Sequence, residues 1–165
     1  MKNLLIPVIL FVMAGCAKND GGAMYSHPSG LFTARAAASW RVDEAVPGDG
    51  ARRVAFLASD ASQIAIYEYE AGHEDYDSAE DYARVQTMRN RQTEKVKETV
   101  WKGRKAFAYG ISRDWGESGV FRESGLAVEQ GDGFVVVLYS APEKTFAGGE
   151  KIFSFFLESL ALKSP

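Results

Sequence analysis

The sequence contains few of the residues that usually build reactive centres. Among its 165 residues there are one cysteine, Cys16, and two histidines, His27 and His73. A single cysteine excludes an internal disulfide and a metal site built from several thiolates. A serine hydrolase would need one of the two histidines together with a Gly-x-Ser-x-Gly elbow, and that motif is missing. We therefore expect a protein that is not an enzyme and that has neither a bound metal nor a cofactor.

Long apolar runs and an excess of positive charge are also missing. A membrane-spanning helix needs about 20 apolar residues, whereas the N-terminal run at residues 4–12 is far shorter and contains Pro7. The formal net charge of -3 argues against a nucleic-acid partner. Glycine-rich phosphate loops of the P-loop or Rossmann type do not occur either.

The N-terminus has the layout of a secretory signal. Lys2 is its only charge, an apolar run follows, and the small residues Ala14 and Gly15 precede Cys16. Residues 13–16, Met-Ala-Gly-Cys, resemble the lipobox of bacterial lipoproteins. The alternative is an ordinary cleaved signal followed by an unmodified cysteine.

The lipobox resemblance implies a location and a membrane attachment. Residues 1–15 would be a signal peptide that is removed, and Cys16 would carry acyl chains such as palmitate. The acyl chains on Cys16 would then hold the protein on a membrane of the cell envelope, because two or more chains anchor stably. Ala17 after the cysteine implies the outer membrane, facing the periplasm, if the cell is Gram-negative.

The mature chain divides into a tether and one domain. Residues 16–30 are small and polar and show no apolar period, which predicts a lipidated cysteine followed by a flexible tether. Residues 31–165 are long enough for a single domain with its own core.

Hydrophobic periodicity within that domain predicts strands and two helices. Helical spacing favours one helix over residues 78–91, capped by Asp77 or Ser78, and a second from about residue 143 or 145 to residue 162. In the second helix, Phe155 and Leu162 fall outside the apolar arc, which consists of Phe146, Gly149, Ile152, Phe153, Phe156, Leu157 and Leu160. Alternation predicts strands at residues 31–38, 39–45, 53–58, 63–70, 93–101, 105–111, 121–130 and 134–140. Residues 134–140 are apolar on both faces, which is typical of the middle of a covered sheet.

Four short motifs follow the order of these elements: Ser39-Trp40-Arg41-Val42, Ser78-Ala79-Glu80-Asp81-Tyr82, Trp101-Lys102-Gly103 and Tyr139-Ser140-Ala141-Pro142. The order of the elements and of these motifs resembles the PsbP-like family, which includes DcrB-like envelope lipoproteins. The resemblance implies an α+β fold in which an antiparallel sheet is covered by two helices, an α/β/α sandwich. It also implies a non-catalytic module that binds or helps to assemble other macromolecules, here a protein of the envelope.

Three residues are candidates for partner binding. The predicted loop at residues 112–119 presents Trp115 with Arg113 two positions earlier, and both residue types are enriched in binding hot spots. The alternative is that Trp115 folds back over the edge of the core. Phe155 joins these two because the apolar arc does not account for it.

Other functions stay open at this stage. Ten phenylalanines could line a cavity between the sheet and the C-terminal helix, as in a carrier or sensor of a small apolar ligand. Two strand carboxylates could form a hydrolase site, since their spacing is a tertiary property. The acidic stretch at residues 73–77 could hold a cation weakly, although a solvated loop before a helix explains it better.

Overall fold

The computed structural model describes residues 22–45 and 51–163. We number the strands and helices of these residues in chain order. They are β1 Ala23–Ser26, β2 Phe32–Ala36, β3 Arg41–Ala45, β4 Arg52–Leu57, β5 Gln63–Tyr69, α1 Ala79–Arg89, β6 Arg91–Trp101, β7 Arg104–Asp114, β8 Val120–Gln130, β9 Gly133–Pro142, α2 Phe146–Ser159 and β10 Ala161–Leu162. The predicted signal peptide and Cys16 lie outside the described residues.

The strands form two antiparallel sheets. The large sheet has seven strands in the order β3-β4-β5-β9-β8-β7-β6, and the small sheet has three in the order β1-β2-β10. Strand β9 lies between β5 and β8, and eight of its ten residues are buried. The prediction of a central strand covered on both faces is confirmed.

The two helices cover opposite faces of the large sheet. Successive side chains of a strand point to opposite faces. On β9, Phe134 and Val136 pack in the cluster that contains α1, whereas Val135 and Val137 pack in the cluster that contains α2 and the small sheet. The predicted α+β class, an antiparallel sheet covered by two helices, is therefore confirmed.

Helix α1 begins as its sequence predicts. The Ser78 hydroxyl accepts a hydrogen bond from the Asp81 amide at 3.1 Å, which caps the first turn. Glu80 and Arg84, four positions apart, form an ion pair at 2.7 Å. These local interactions fix the helix start, because they need no partner from elsewhere in the chain.

Helix α2 ends earlier than predicted. It stops at Ser159, and Leu162 belongs to β10, which pairs with β2. The Lys102 ammonium donates hydrogen bonds to the carbonyls of Glu158 and Leu160, at 2.7 and 2.6 Å, and so satisfies acceptors at the helix end. The prediction of a helix to residue 162 is wrong, because a distant side chain and a strand partner outcompete the last turn.

The predicted tether contains a strand. Residues 23–26 form β1, which pairs with β2 along its whole length. The Tyr25 ring lies 5.6 Å from the Phe32 ring and 5.3 Å from the Phe56 ring, between centroids, and this packing holds the strand on the core. The boundary at residue 31 is therefore wrong: the folded part of the chain includes residues before it.

Candidate functional site

An apolar groove runs between α2 and the end of β2. We call it the α2 groove, and its volume is about 330 Å³. The residues that line it and enter the argument are Gly22, Arg35, Trp40, Ile64, Lys151, Ile152, Phe155 and Phe156. No carboxylate or imidazole is among the described residues that line it. The groove therefore offers apolar contact and two cations.

The floor and the rim of the α2 groove differ in exposure. Ile64 and Phe156, at the floor, are each 1% exposed, whereas Phe155 is 48% and Ile152 43% exposed on the rim. Residues three apart on a helix are neighbours, so these two rim side chains lie side by side. An apolar patch open to solvent next to a buried apolar floor is typical of a binding surface.

The seat of α2 on the sheet explains the exposed rim. A Cβ atom at Gly149 would overlap the Tyr139 hydroxyl, so only glycine lets the helix lie this close to β9. Phe153 and Phe156 then face the sheet and are buried. Ile152, which its sequence spacing places in the buried arc, instead turns toward the groove. That part of the predicted arc is wrong.

Trp40 reaches the groove through a change of sheet. Its amide donates a hydrogen bond to the Ala37 carbonyl at 2.9 Å, closing a turn between β2 of the small sheet and β3 of the large sheet. Sequence alternation places Trp40 on a strand and gives no signal for this turn. The residue therefore escapes sequence reasoning as a site residue, as do Arg35 and Lys151.

A second hollow adjoins the α2 groove. It has a volume of about 500 Å³ and shares Trp40 and Ile152 with the groove. Its lining includes the charged residues Asp60 and Lys144. The helix thus borders one apolar and one polar depression, with Trp40 between them.

The predicted pair of Trp115 and Arg113 is split by the structure. Trp115 is 56% exposed, so the alternative that it covers the edge of the core is wrong. The Arg113 guanidinium is held inside: Nε lies 3.0 Å from a Glu123 carboxylate oxygen, and Nη2 donates to the Gln86 side-chain oxygen at 2.7 Å. Trp115 stays available to a partner, while the charge of Arg113 has internal partners.

Arg113 belongs to a polar chain on the α1 side of the sheet. Gln86 also donates to the Tyr76 hydroxyl at 3.0 Å, so Gln86 and Arg113 connect Tyr76 to Glu123 in a chain of four side chains. Burial raises the pKa of the Glu123 carboxyl, and the nearby Arg113 charge opposes this in part. Burial likewise raises the pKa of Tyr109, which lies on the same face of the sheet.

The acidic stretch before α1 is a loop. The Asp75 amide donates to the His73 imidazole at 3.2 Å, and the His73 and Tyr76 rings stack with centroids 5.7 Å apart. Within the described part of the chain, no three His, Cys, Asp or Glu side chains are grouped so that they could hold a metal ion. Nor does any helix in residues 22–45 or 51–163 combine the length and apolarity needed to cross a membrane.

Comparison with known proteins gives a fold. No family model matches the sequence, and no curated protein matches it either. Among solved structures, PsbP (CyanoP) from Synechocystis sp. PCC 6803 matches with a TM-score of 0.59 at 13% identity, over 86% of this chain and 92% of that one. The fold is PsbP-like.

Two further structures share the PsbP-like fold. LpqN of Mycobacterium tuberculosis, described as involved in cell envelope biogenesis, matches with a TM-score of 0.53 at 11% identity, over 87% of this chain and 90% of that one. A structure from Bacteroides thetaiotaomicron matches with a TM-score of 0.58 at 12% identity over 87% of this chain, which spans 49% of that protein. Likeness at such identity establishes the PsbP-like fold and not a function.

Proposed function

We propose that the protein is a lipid-anchored, non-catalytic binding module of the bacterial cell envelope. The α2 groove carries this proposal, because it exposes Phe155 and Ile152 beside a preformed apolar floor. A surface of this kind stabilises a complex by burying apolar area. The occupant that the envelope supplies is either a protein partner or a lipid.

The lipobox at residues 13–16 supports the anchor. Acyl chains on Cys16 would keep the domain at the membrane, and LpqN, which has the same fold, is described in the context of the cell envelope. The expected location is the periplasmic face of the outer membrane in a Gram-negative cell.

The anchor is tested by labelling cells with a radioactive fatty acid. The wild-type chain should incorporate the label, and Cys16→Ser should lose it and remain uncleaved ahead of residue 16. Undiminished incorporation in Cys16→Ser would contradict the anchor.

The binding role is tested by affinity capture from envelope fractions with the anchor retained. Phe155→Asp puts a charge on the groove rim and should remove specific partners, whereas Val100→Asp, at a position that is 75% exposed on β6, should keep them. Equal recovery of every partner by the two variants would contradict a role for the groove.

A carrier of a small apolar ligand is the second candidate. It is favoured by the same floor, where Ile64 and Phe156 lie within the groove. A carrier would bring its ligand out of the membrane in the purified protein, whereas a protein-binding module would be purified with an empty groove.

A further inference from the structure

We propose that the α2 groove binds one acyl chain of an anionic membrane phospholipid, with the phosphate beside Arg35 and Lys151. The inference deepens the proposed function and rests on it in one respect, since the anchor places the groove at a membrane.

The course of the chain brings the groove close to the anchor. Gly22 lines the groove, and a Cβ atom there would lie 2.7 Å from the Ala36 carbonyl oxygen, so its backbone is pressed against the end of β2. Cys16 comes six residues earlier in the sequence. Six residues span at most about 20 Å when extended. An acylated Cys16 therefore keeps the groove within about that distance of the bilayer surface, where phospholipid is the most abundant apolar ligand.

The charges of the groove favour an anionic head group. Among the described residues that line it, the charged ones are Arg35 and Lys151, both cationic and both exposed. Arginine binds phosphate through paired N–H donors, and lysine binds it as a point charge. A phosphate between them would satisfy both cations while its tail enters the apolar part of the groove.

The aromatic side chains fit the region between head group and tail. Trp40 and Phe155 both line the groove, and Trp40 is partly buried whereas Phe155 is half exposed. Tryptophan is enriched where an apolar layer meets water, since its ring is apolar and its N–H is polar. The tail would then continue over Ile64 and Phe156, the buried floor.

Native mass spectrometry of the purified full protein in detergent tests the lipid. The probes are dioleoyl phosphatidylglycerol, which is anionic, and dioleoyl phosphatidylcholine, which is zwitterionic with the same tails. We expect a one-to-one adduct that favours phosphatidylglycerol by about fivefold or more, a preference that the double variant Arg35→Gln, Lys151→Gln should remove. Phe155→Asp should weaken both adducts about tenfold, and Val100→Asp should leave them unchanged.

Tryptophan fluorescence locates the lipid tail without any substitution in α2. Phosphatidylglycerol with brominated tails should quench the wild-type protein. Trp40→Phe should remove most of this quenching and Trp115→Phe should keep it. This comparison also decides the matter if Phe155→Asp does not fold.

Three results would overturn the lipid assignment: no adduct, equal adducts in Phe155→Asp and Val100→Asp, or quenching that depends on Trp115. The same samples report on the anchor, because a denaturing mass spectrum shows covalent acyl chains on Cys16. If the spectra show acyl chains on Cys16 but no phospholipid adduct, the lipid ligand is rejected and the anchor is supported. If they show an adduct but no acyl chains on Cys16, the anchor is rejected and the lipid ligand is supported. If capture depends on Phe155 while no lipid adduct forms, the groove binds a protein.

Discussion

The two faces of the large sheet are closed in different ways. On the α1 side, polar groups are tied to one another, and the chain from Tyr76 through Gln86 and Arg113 to Glu123 joins helix and sheet. On the α2 side the helix packs on the sheet through apolar side chains such as Phe153 and Phe156, and the rim residue Phe155 is left half exposed beside the α2 groove. Buried polar groups need hydrogen-bond partners within the protein. An exposed apolar rim, in contrast, is stabilised when a binding partner covers it.

This difference changes the roles of two residues that the sequence predicts to bind a partner. Arg113, chosen for its place beside Trp115, is taken up by the α1-side network. Phe155, which is a candidate from the sequence only because it falls outside the apolar arc of the helix, lines the α2 groove. Under the proposed function, the exposed rim of the α2 groove is the surface for recognition, whereas Arg113 contributes to the folded structure through its internal partners.

The largest expected effect separates the two roles within α2 itself. Phe153→Ala and Phe156→Ala should each lower the free energy of unfolding by about 3–5 kcal/mol, because each leaves a cavity against the sheet. Phe155→Ala should lower it by less than about 1 kcal/mol, since its side chain is half exposed. Denaturant melts measure all three, and comparable losses at positions 155 and 156 would break the distinction between rim and floor.

A pair of glycines tests how closely α2 lies on β9. Gly149→Ala should destabilise the protein by about 1–3 kcal/mol, because its methyl group would overlap the buried Tyr139 side chain. At Gly148 an added Cβ atom meets nothing within 4 Å. Gly148→Ala should therefore stabilise by about 0.4–1 kcal/mol, through the smaller entropy of the unfolded chain. Thermal melts that rank the two variants in the opposite order would refute this seating.

The buried carboxyl of Glu123 on the α1 side should make the stability of the protein depend on pH. Burial holds the pKa of the Glu123 carboxyl above its unfolded-state value. Between those two pKa values the folded state binds more protons than the unfolded state, so stability falls as the pH rises through that interval. The free energy of unfolding of wild type, relative to Glu123→Gln, should therefore decrease as the pH rises above about 4.3, the usual pKa of a glutamate side chain. A difference that increased with pH would mean that pairing with Arg113 outweighs burial.

The smallest expected effect on stability is at the β7–β8 loop. Trp115→Ala should change the free energy of unfolding by less than about 1 kcal/mol, because Trp115 is 56% exposed. A loss of several kcal/mol would restore the idea that Trp115 covers the core. If Trp115 contacts a partner, the same variant should weaken that complex by about 2 kcal/mol or more at unchanged stability.

Features that depend on local interactions can be predicted from the sequence, whereas features that depend on contacts between distant residues cannot. The central strand β9 is evident from its apolar run, and the start of α1 from Ser78 and the acidic residues after it, since these signals are local. The end of α2 is not, because Lys102 supplies its cap from 58 residues before Leu160.

The residues of the groove are hidden from the sequence for the same reason. Strand β1 has four residues and a single aromatic side chain, so its pairing with β2 gives no periodic signal. Trp40, Gly22 and Lys151 come together only because the chain passes from the small sheet to the large one and returns with α2. The sequence shows that Phe155 falls outside the apolar arc, but only the fold shows which residues surround it.

Site-specific photo-crosslinking in intact cells tests most directly whether partners bind at the α2 groove or at the β7–β8 loop. A photoreactive amino acid replaces Phe155 in one strain and Trp115 in another, both at exposed positions, and the adducts of protein and lipid are compared. Adducts formed at position 155 in clear excess over position 115 are the predicted result, because recognition is assigned to the α2 groove. Adducts confined to position 115 would contradict that assignment and move the binding surface to the β7–β8 loop.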